Sequence, residues 1–192
     1  MLYDDHLLTS QRITNIKISA EIDTTSFEWG DRLKNCNIKS YGNFFVWKSK
    51  PFVYIIFPQA NHINITGLRE KSLIEKAFNT FREHFNIVPL LKLKQIDNFT
   101  VCGRIKTFSN LFCLNQYLSK REGELESVKF NSSVFPATYL KLKSKGTFVI
   151  FNSGSFNLVG LKCINEVEKQ LTYFRAIIQN FECCLAHDSK NV

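Results

Sequence analysis

Apolar and polar residues alternate in short runs along this chain, and between them lie longer runs with apolar positions three and four apart. Ile13, Ile16 and Ile18 open a strand whose other face carries Asn15 and Lys17. Thr25-Ser26 precede a short helical stretch through Trp29, Leu33 and Cys36. Phe44-Phe45-Val46-Trp47, Phe52 to Phe57 and Ile63 to Thr66 are rich in aromatic and β-branched residues and predict strands. Ser49-Lys50-Pro51 and Pro58-Gln59-Ala60-Asn61 interrupt them as hairpin turns. From Lys71 to Phe85, Leu73, Ile74, Ala77, Phe78, Phe81 and Phe85 form one face of an amphipathic helix. The second half repeats the order: a strand at about 96–103, a helix at about 109–121, strands up to Val159, and a closing helix with Val167, Leu171, Phe174, Ile178 and Phe181 on one face. Val88-Pro89-Leu90 marks the joint. Each half reads strand, helix, four strands, helix.

The repetition extends to residues. Tyr54-Ile55-Ile56-Phe57, a polar turn and Ile63-Asn64-Ile65-Thr66-Gly67-Leu68 reappear as Phe148-Val149-Ile150-Phe151, a turn and Phe156-Asn157-Leu158-Val159-Gly160-Leu161. Phe57 and Phe151 are 94 residues apart, Gly67 and Gly160 93. A duplicated unit of this kind predicts a pseudo-two-fold α+β fold: one antiparallel sheet with helices on one side. The strands then have a helix-covered face and an uncovered one. Ile63, Ile65, Phe99, Val101, Phe156 and Leu158 belong to the first, and Asn64, Thr66, Asn98, Thr100, Asn157 and Val159 to the second. Phe57, Phe151, Ile55 and Val149 fall on the uncovered face, where large apolar groups are costly unless something binds there. The opposite assignment, Phe57 and Phe151 as core, is disfavoured because Ile56 and Ile150 already fill the core side. The asparagines are also compatible with a solvated sheet face; their repeat-matched positions favour a binding role.

Composition narrows the partner. At 192 residues and 44% hydrophobic the chain can bury one or two cores. A net charge of +8 and a pI near 9.2 favour an anionic partner, with nucleic acid first. Residues 1–90 hold 11 Lys+Arg against 9 Asp+Glu and residues 91–192 hold 14 against 8, so the second half carries most of the excess. The six cysteines, at 36, 102, 113, 163, 183 and 184, lack a CxxC pair, which predicts reduced, mostly buried thiols and no zinc knuckle. The absence of a long apolar run and of a basic start before it predicts a soluble, intracellular protein without a membrane partner. His6, His62, His84 and His187 fall in no metal or nucleophile spacing and no carboxylate pair is recognisable, so neither an enzyme nor a cofactor is expected.

With these residues in order, the chain resembles the TATA-box-binding proteins over about residues 12–182. Phe135-Pro136-Ala137, Phe148-Val149-Ile150-Phe151-Asn152-Ser153-Gly154 and Leu158-Val159-Gly160-Leu161-Lys162 resemble that family's Phe-Pro-Gly, Ile-Phe-x-Ser-Gly-Lys and Leu-Thr-Gly-Ala-Lys series. Asn37-Ile38-Lys39-Ser40-Tyr41-Gly42, Ile56-Phe57 and Ile65-Thr66-Gly67 resemble the first-repeat series. The resemblance implies a saddle of two repeats forming one curved antiparallel sheet with helices on the convex side. It divides the chain into an N-terminal tail (1–11), repeat 1 (12–88), repeat 2 (92–182) and a C-terminal tail (183–192). It further implies that the concave face lies in the minor groove of double-stranded DNA.

On that basis wedge residues fall on Tyr41 and Phe57 and on Phe135, beside Pro136, and Phe151; for Tyr41 a plain surface tyrosine is an equal alternative. Wedges unstack base steps at about a few kcal/mol each, repaid by a bent groove that covers more protein. Central asparagines fall on Asn15 and Asn98, apolar floor contacts on Ile55 and Val149, and the threonine beside the central bases on Thr66, with Val159 as its counterpart. Where the family has small valines, this floor has Lys17, Asn64, Thr100 and Asn157, which predicts a weaker preference for A·T pairs. Lys141, with Lys143, suits phosphate contact or a solvated edge. The stirrup Asn131-Ser132-Ser133-Val134 lacks the family's acidic residues, a departure expected of a viral or protist version, so partner recognition is expected to have diverged. The expected role is a general transcription initiation factor that bends promoter DNA and recruits initiation factors or RNA polymerase subunits through its convex helices and stirrups. It would act in the nucleus, or in a cytoplasmic viral replication compartment or virion. The alternative is a docking subunit of the same fold that has lost DNA binding.

Overall fold

The computed structural model describes residues 6–23, 29, 33, 38–86, 91–106, 108, 110–121, 125–131 and 135–188. Its strands are β1 (Leu8–Ile22), β2 (Lys39–Ser40), β3 (Phe45–Ser49), β4 (Phe52–Phe57), β5 (His62–Leu68), β6 (Leu91–Ile105), β7 (Leu125–Asn131), β8 (Phe135–Leu142), β9 (Thr147–Phe151) and β10 (Ser155–Leu161). The described helices are α1 (Leu73–Phe85), α2 (Leu111–Ser119) and α3 (Ile164–Asp188), with a 3-10 turn at Pro58–Ala60. The strands form one sheet in the order β2-β3-β4-β5-β1-β6-β10-β9-β8-β7, not closed into a barrel. The helical stretch expected from Thr25 to Cys36, the joint at 88–90 and the stirrup at 132–134 lie outside the described residues, apart from Trp29 and a helical Leu33.

The chain divides into two compact units: an N-terminal unit, Thr14–Asn98, and a C-terminal unit, Phe99–Val192 together with Met1–Ile13. In the N-terminal unit, β4 alternates between fully buried Phe52, Tyr54 and Ile56 and half-buried Val53, Ile55 and Phe57, the period of a strand with one covered face. The cover is α1, whose Ala77, Phe78, Phe81 and Phe85 are buried. Phe81 lies 5.5 Å from Tyr54 between ring centroids, and Trp47 stacks on Tyr54 at 4.6 Å. Tyr54 can sit there because its hydroxyl donates to the Ala77 carbonyl at 2.9 Å; burial pushes its phenol far up.

The C-terminal unit solves the same problem with other side chains. Phe148 of β9 stacks on Phe174 of α3 at 4.1 Å and 18°, and Phe156 of β10 meets Phe174 edge-on at 5.2 Å. Val167, Leu171, Phe174, Ile178 and Phe181 of α3 are all buried, as its apolar spacing predicts. Asn110 caps α2 by accepting from the Cys113 amide at 2.8 Å. From α2, Asn115 donates to the hydroxyl of fully buried Thr138 at 2.7 Å, so the polar group that β8 turns toward the helices is satisfied. The expectation of mostly buried thiols does not hold for the described cysteines: Cys102 and Cys113 are half-buried and Cys163 is exposed. Cys163 sits in the turn before α3, where the chain needs no apolar contact.

Candidate nucleic-acid interface

Cross-strand register lines up the uncovered face of the N-terminal unit into rows. One row runs Lys39, Val46, Ile55, Asn64 and Ser19 across β2, β3, β4, β5 and β1. Next to it, Phe57 pairs with His62 and His62 with Glu21; on the other side, Lys48 pairs with Val53 and Val53 with Thr66. Ile55, Phe57, Asn64 and Thr66 are half-buried, and α1, the described helix of the unit, packs against Tyr54 on the opposite face. Tyr41, 54% exposed, stacks on Phe44 at 5.3 Å and 12°. Phe44 in turn lies 5.8 Å from Phe57, and Phe57 5.9 Å from His62. Tyr41 and Phe57 are thus brought together through Phe44, which the sequence reading did not single out, although the doublet Phe44-Phe45 puts one aromatic ring on each face.

The polar residues of this face are not independent. Asn15 Oδ1 accepts from the Thr66 hydroxyl at 2.8 Å and from the Gly67 amide at 2.7 Å. That contact depends on a β-bulge: the β1–β5 register shifts between Ile16 and Ile18, and Gly67 adopts φ +93. A Cβ at Gly67 would collide with the Pro51 carbonyl oxygen, so glycine is required twice over. Because a backbone N–H must meet an oxygen, the Asn15 amide points its nitrogen away from the bulge, as a donor. Further along β1, the Ser19 hydroxyl bonds Asp97 Oδ2 and lies 3.1 Å from Asn64 Oδ1, which is 2.9 Å from His62 Nε2. Gln95 donates to the other Asp97 oxygen at 2.8 Å, and Lys17 Nζ stands 3.5 Å from Oδ2. Burial pushes the Asp97 carboxyl up, but the bonds from Ser19 and Gln95 and the Lys17 charge outweigh it and hold it below the usual carboxylate range. Lys17 is therefore an ion-pair partner within the floor. Ser19 and Asp97 were invisible to pattern reading, since neither breaks the alternation and their partners are distant in sequence.

The C-terminal unit carries a matching row: Lys129, Tyr139, Val149, Asn157 and Cys102 across β7, β8, β9, β10 and β6. Beside it run Ser127, Lys141, Thr147 and Val159, and on the other side Ala137 pairs with Phe151. Val149, Phe151, Asn157, Val159 and Thr100 are half-buried. Lys141 Nζ is 2.6 Å from Glu126 Oε1, with both side chains half-exposed, so it too is locally balanced. Lys39 and Lys129, exposed at the outer ends of the two matching rows, are cations that the sequence reading passed over. Asn98, half-buried in β6, ends the N-terminal unit. Phe135 begins β8 and Pro136 is exposed; the Phe135 side chain lies outside the described residues.

Among the described residues no group of three or more His, Cys, Asp or Glu could hold a metal, and no helix is long and apolar enough to cross a membrane. The family model for transcription factor TFIID (or TATA-binding protein, TBP) matches residues 95–181. No curated protein matches the chain in sequence. Among solved structures, TBP from Methanococcus jannaschii is similar with a TM-score of 0.69 and 18% identity, covering 88% of this chain and 98% of that one, a likeness that shows the fold. Two enzymes follow at TM-scores too low to support any argument. Heterotetrameric sarcosine oxidase from Corynebacterium sp. has TM-score 0.38 and 7% identity, covering 94% of this chain and 88% of that one. Clostridium acetobutylicum aspartate kinase has TM-score 0.28 and 9% identity, covering 88% and 34%. The matched family is one of DNA-binding transcription initiation factors, not of enzymes.

Proposed function

We propose that this chain is a divergent TBP-like protein whose uncovered sheet face binds the minor groove of duplex DNA and bends it to begin assembly of a transcription initiation complex. One observation carries the proposal: two repeat-matched rows, Lys39-Val46-Ile55-Asn64-Ser19 and Lys129-Tyr139-Val149-Asn157-Cys102, each present an apolar centre between an exposed lysine and an asparagine. Apolar side chains left uncovered in both copies call for a partner, and an exposed cation at the outer end of each row suits a phosphate backbone. Tyr41 and Phe57 in one repeat and Phe135 and Phe151 in the other serve as wedges; Asn15 and Asn98 donate to central base edges, and Ile55, Val149, Thr66, Thr100 and Val159 line the floor. The polar floor weakens discrimination against G·C pairs. Initiation factors or polymerase subunits dock on the helices and stirrups, and the protein acts where transcription does, in a nucleus or a viral replication compartment.

Bending of a doubly labelled duplex, followed by energy transfer, tests this directly. Wild type brings the ends together, and Phe151→Ala and Phe135→Ala reduce the change; if neither does, the wedge assignment is wrong. A second reading, a docking subunit that does not bind DNA, is favoured by the ion pairs of Lys17 with Asp97 and Lys141 with Glu126, which remove two cations from phosphate contact. A salt titration separates the two, because phosphate contacts give a steep linear fall of log affinity with log salt and the docking subunit gives no duplex binding.

A further inference from the structure

Counting protons in the floor of the N-terminal unit assigns a direction to one amide. Ser19 Oγ touches two oxygens, Asp97 Oδ2 and the atom at the Oδ1 position of Asn64, 3.1 Å away, but a hydroxyl has one proton. Asp97 already receives Gln95 and faces Lys17, a setting that keeps it ionised and without a proton to give. The Ser19 proton therefore goes to the carboxylate, the stronger acceptor. Whatever atom of Asn64 meets Ser19 must then donate. The two ends of a carboxamide are alike in shape, so proton supply decides which is nitrogen. With nitrogen toward Ser19, its two hydrogens serve Ser19 Oγ and His62 Nε2, 2.9 Å away and accepting in the tautomer protonated at Nδ1. The carbonyl oxygen takes the other amide position, which no described residue contacts by a hydrogen bond.

We propose that Asn64 presents this fixed carbonyl oxygen as an acceptor for the 2-amino group of guanine, so that the N-terminal unit selects a G·C pair at one position of the bound site. Guanine's amino group is the sole donor that Watson–Crick pairs show in the minor groove. The inference rests on the minor-groove reading above and deepens it from tolerance of G·C to choice of it. Among the described residues the C-terminal unit has no equivalent device. Asn157 pairs with Cys102 where Asn64 pairs with Ser19, and a thiol hydrogen-bonds only weakly, so nothing comparable fixes its amide. Asn64 is the reading residue; Ser19 and Asp97 are positioning residues.

The test uses an A·T-rich duplex in which one G·C pair is walked along the site, with a parallel series carrying inosine·C, which lacks only the 2-amino group. Wild type binds G·C about three- to tenfold more tightly than inosine·C at one position, as one buried hydrogen bond gives. Asn64→Val binds the two series equally. Ser19→Ala, which retains Asn64 but releases its orientation, also loses the preference. Equal or weaker binding of G·C at every position by wild type overturns the inference, as does a preference that survives both substitutions. Salt-sensitive binding to the inosine duplex reports the minor-groove reading separately; if wild type binds no duplex, that reading falls and this one with it. In the free protein the same orientation predicts nuclear Overhauser contacts from the Asn64 amide protons to the Ser19 and His62 side chains, and their absence also overturns it.

Discussion

The two units place their strands alike and then use different chemistry on both faces. On the covered side, the N-terminal unit packs Trp47, Tyr54 and Phe81, with a buried phenol satisfied by a helix carbonyl, whereas the C-terminal unit stacks Phe148 directly on Phe174. On the uncovered side the apolar centres agree, Ile55 with Val149 and Phe57 with Phe151, but the polar surroundings do not. The N-terminal unit holds Asn15 to Thr66 and Ser19 to Asp97 in a bonded network, and the C-terminal unit has Val159 and Cys102 at the corresponding places. Phe57 lies within an aromatic group of Phe44 and His62, with Tyr41 stacked outside, and in the sheet register of the other unit Phe151 is opposite Ala137. The lesson is that apolar positions are held by the fold, since each row must bury its neighbours, whereas polar positions on an uncovered face can be exchanged for binding.

The comparison is most easily broken in the cores. Phe81→Ala and Phe174→Ala remove fully buried rings that each meet two or more aromatic partners, and each should cost about 3–5 kcal/mol, read by chemical denaturation. A loss in only one variant would show that one helix is dispensable. Next come the paired bulge glycines, both at positive φ. Gly67→Ala adds a collision with the Pro51 carbonyl to the backbone strain and should cost about 2–4 kcal/mol. Gly160→Ala has no contact closer than 3.7 Å, from Gly146 Cα, and should cost about 1–2 kcal/mol by strain alone. Equal effects would mean that the bulges are interchangeable.

Smaller effects separate the binding faces. Phe151→Ala should weaken duplex affinity by about 1–3 kcal/mol, the scale of a lost aromatic–base contact. Phe57→Ala should weaken it less, because Phe44 and His62 can close over the gap. The reverse order, measured by fluorescence anisotropy, would make the N-terminal group the main wedge. The smallest effect is on pH dependence. Asp97 is depressed in the folded protein, so its contribution to stability is complete above the unfolded carboxyl value of about 3.9 and is lost as pH falls through the lower folded value. Asp97→Asn should remove that part of the acid-side slope in thermal melts. An unchanged slope between wild type and variant would show that the carboxylate is not held by Ser19, Gln95 and Lys17.

Much of the architecture was legible in the residues. The face of α1 follows from Ala77, Phe78, Phe81 and Phe85, and the two faces of β4 from its alternation, because burial by a neighbouring layer repeats at the period of the element itself. The repeat located the matching rows before their pairing was known. Hidden from the sequence were contacts between residues far apart in it: Ser19 with Asp97, 78 positions on, and Thr66 with Asn15, 51 positions back. Lys17 and Lys141 read as free cations until tertiary structure set a carboxylate beside each.

The sequence by itself determined the order of elements, the side of each strand that is covered and the doubling of the unit, since all three depend on local periodicity and on repetition. Tertiary structure alone decided what the uncovered side presents. Whether an asparagine offers a donor or an acceptor depends on which protons its neighbours can spare, and those neighbours arrive from other strands.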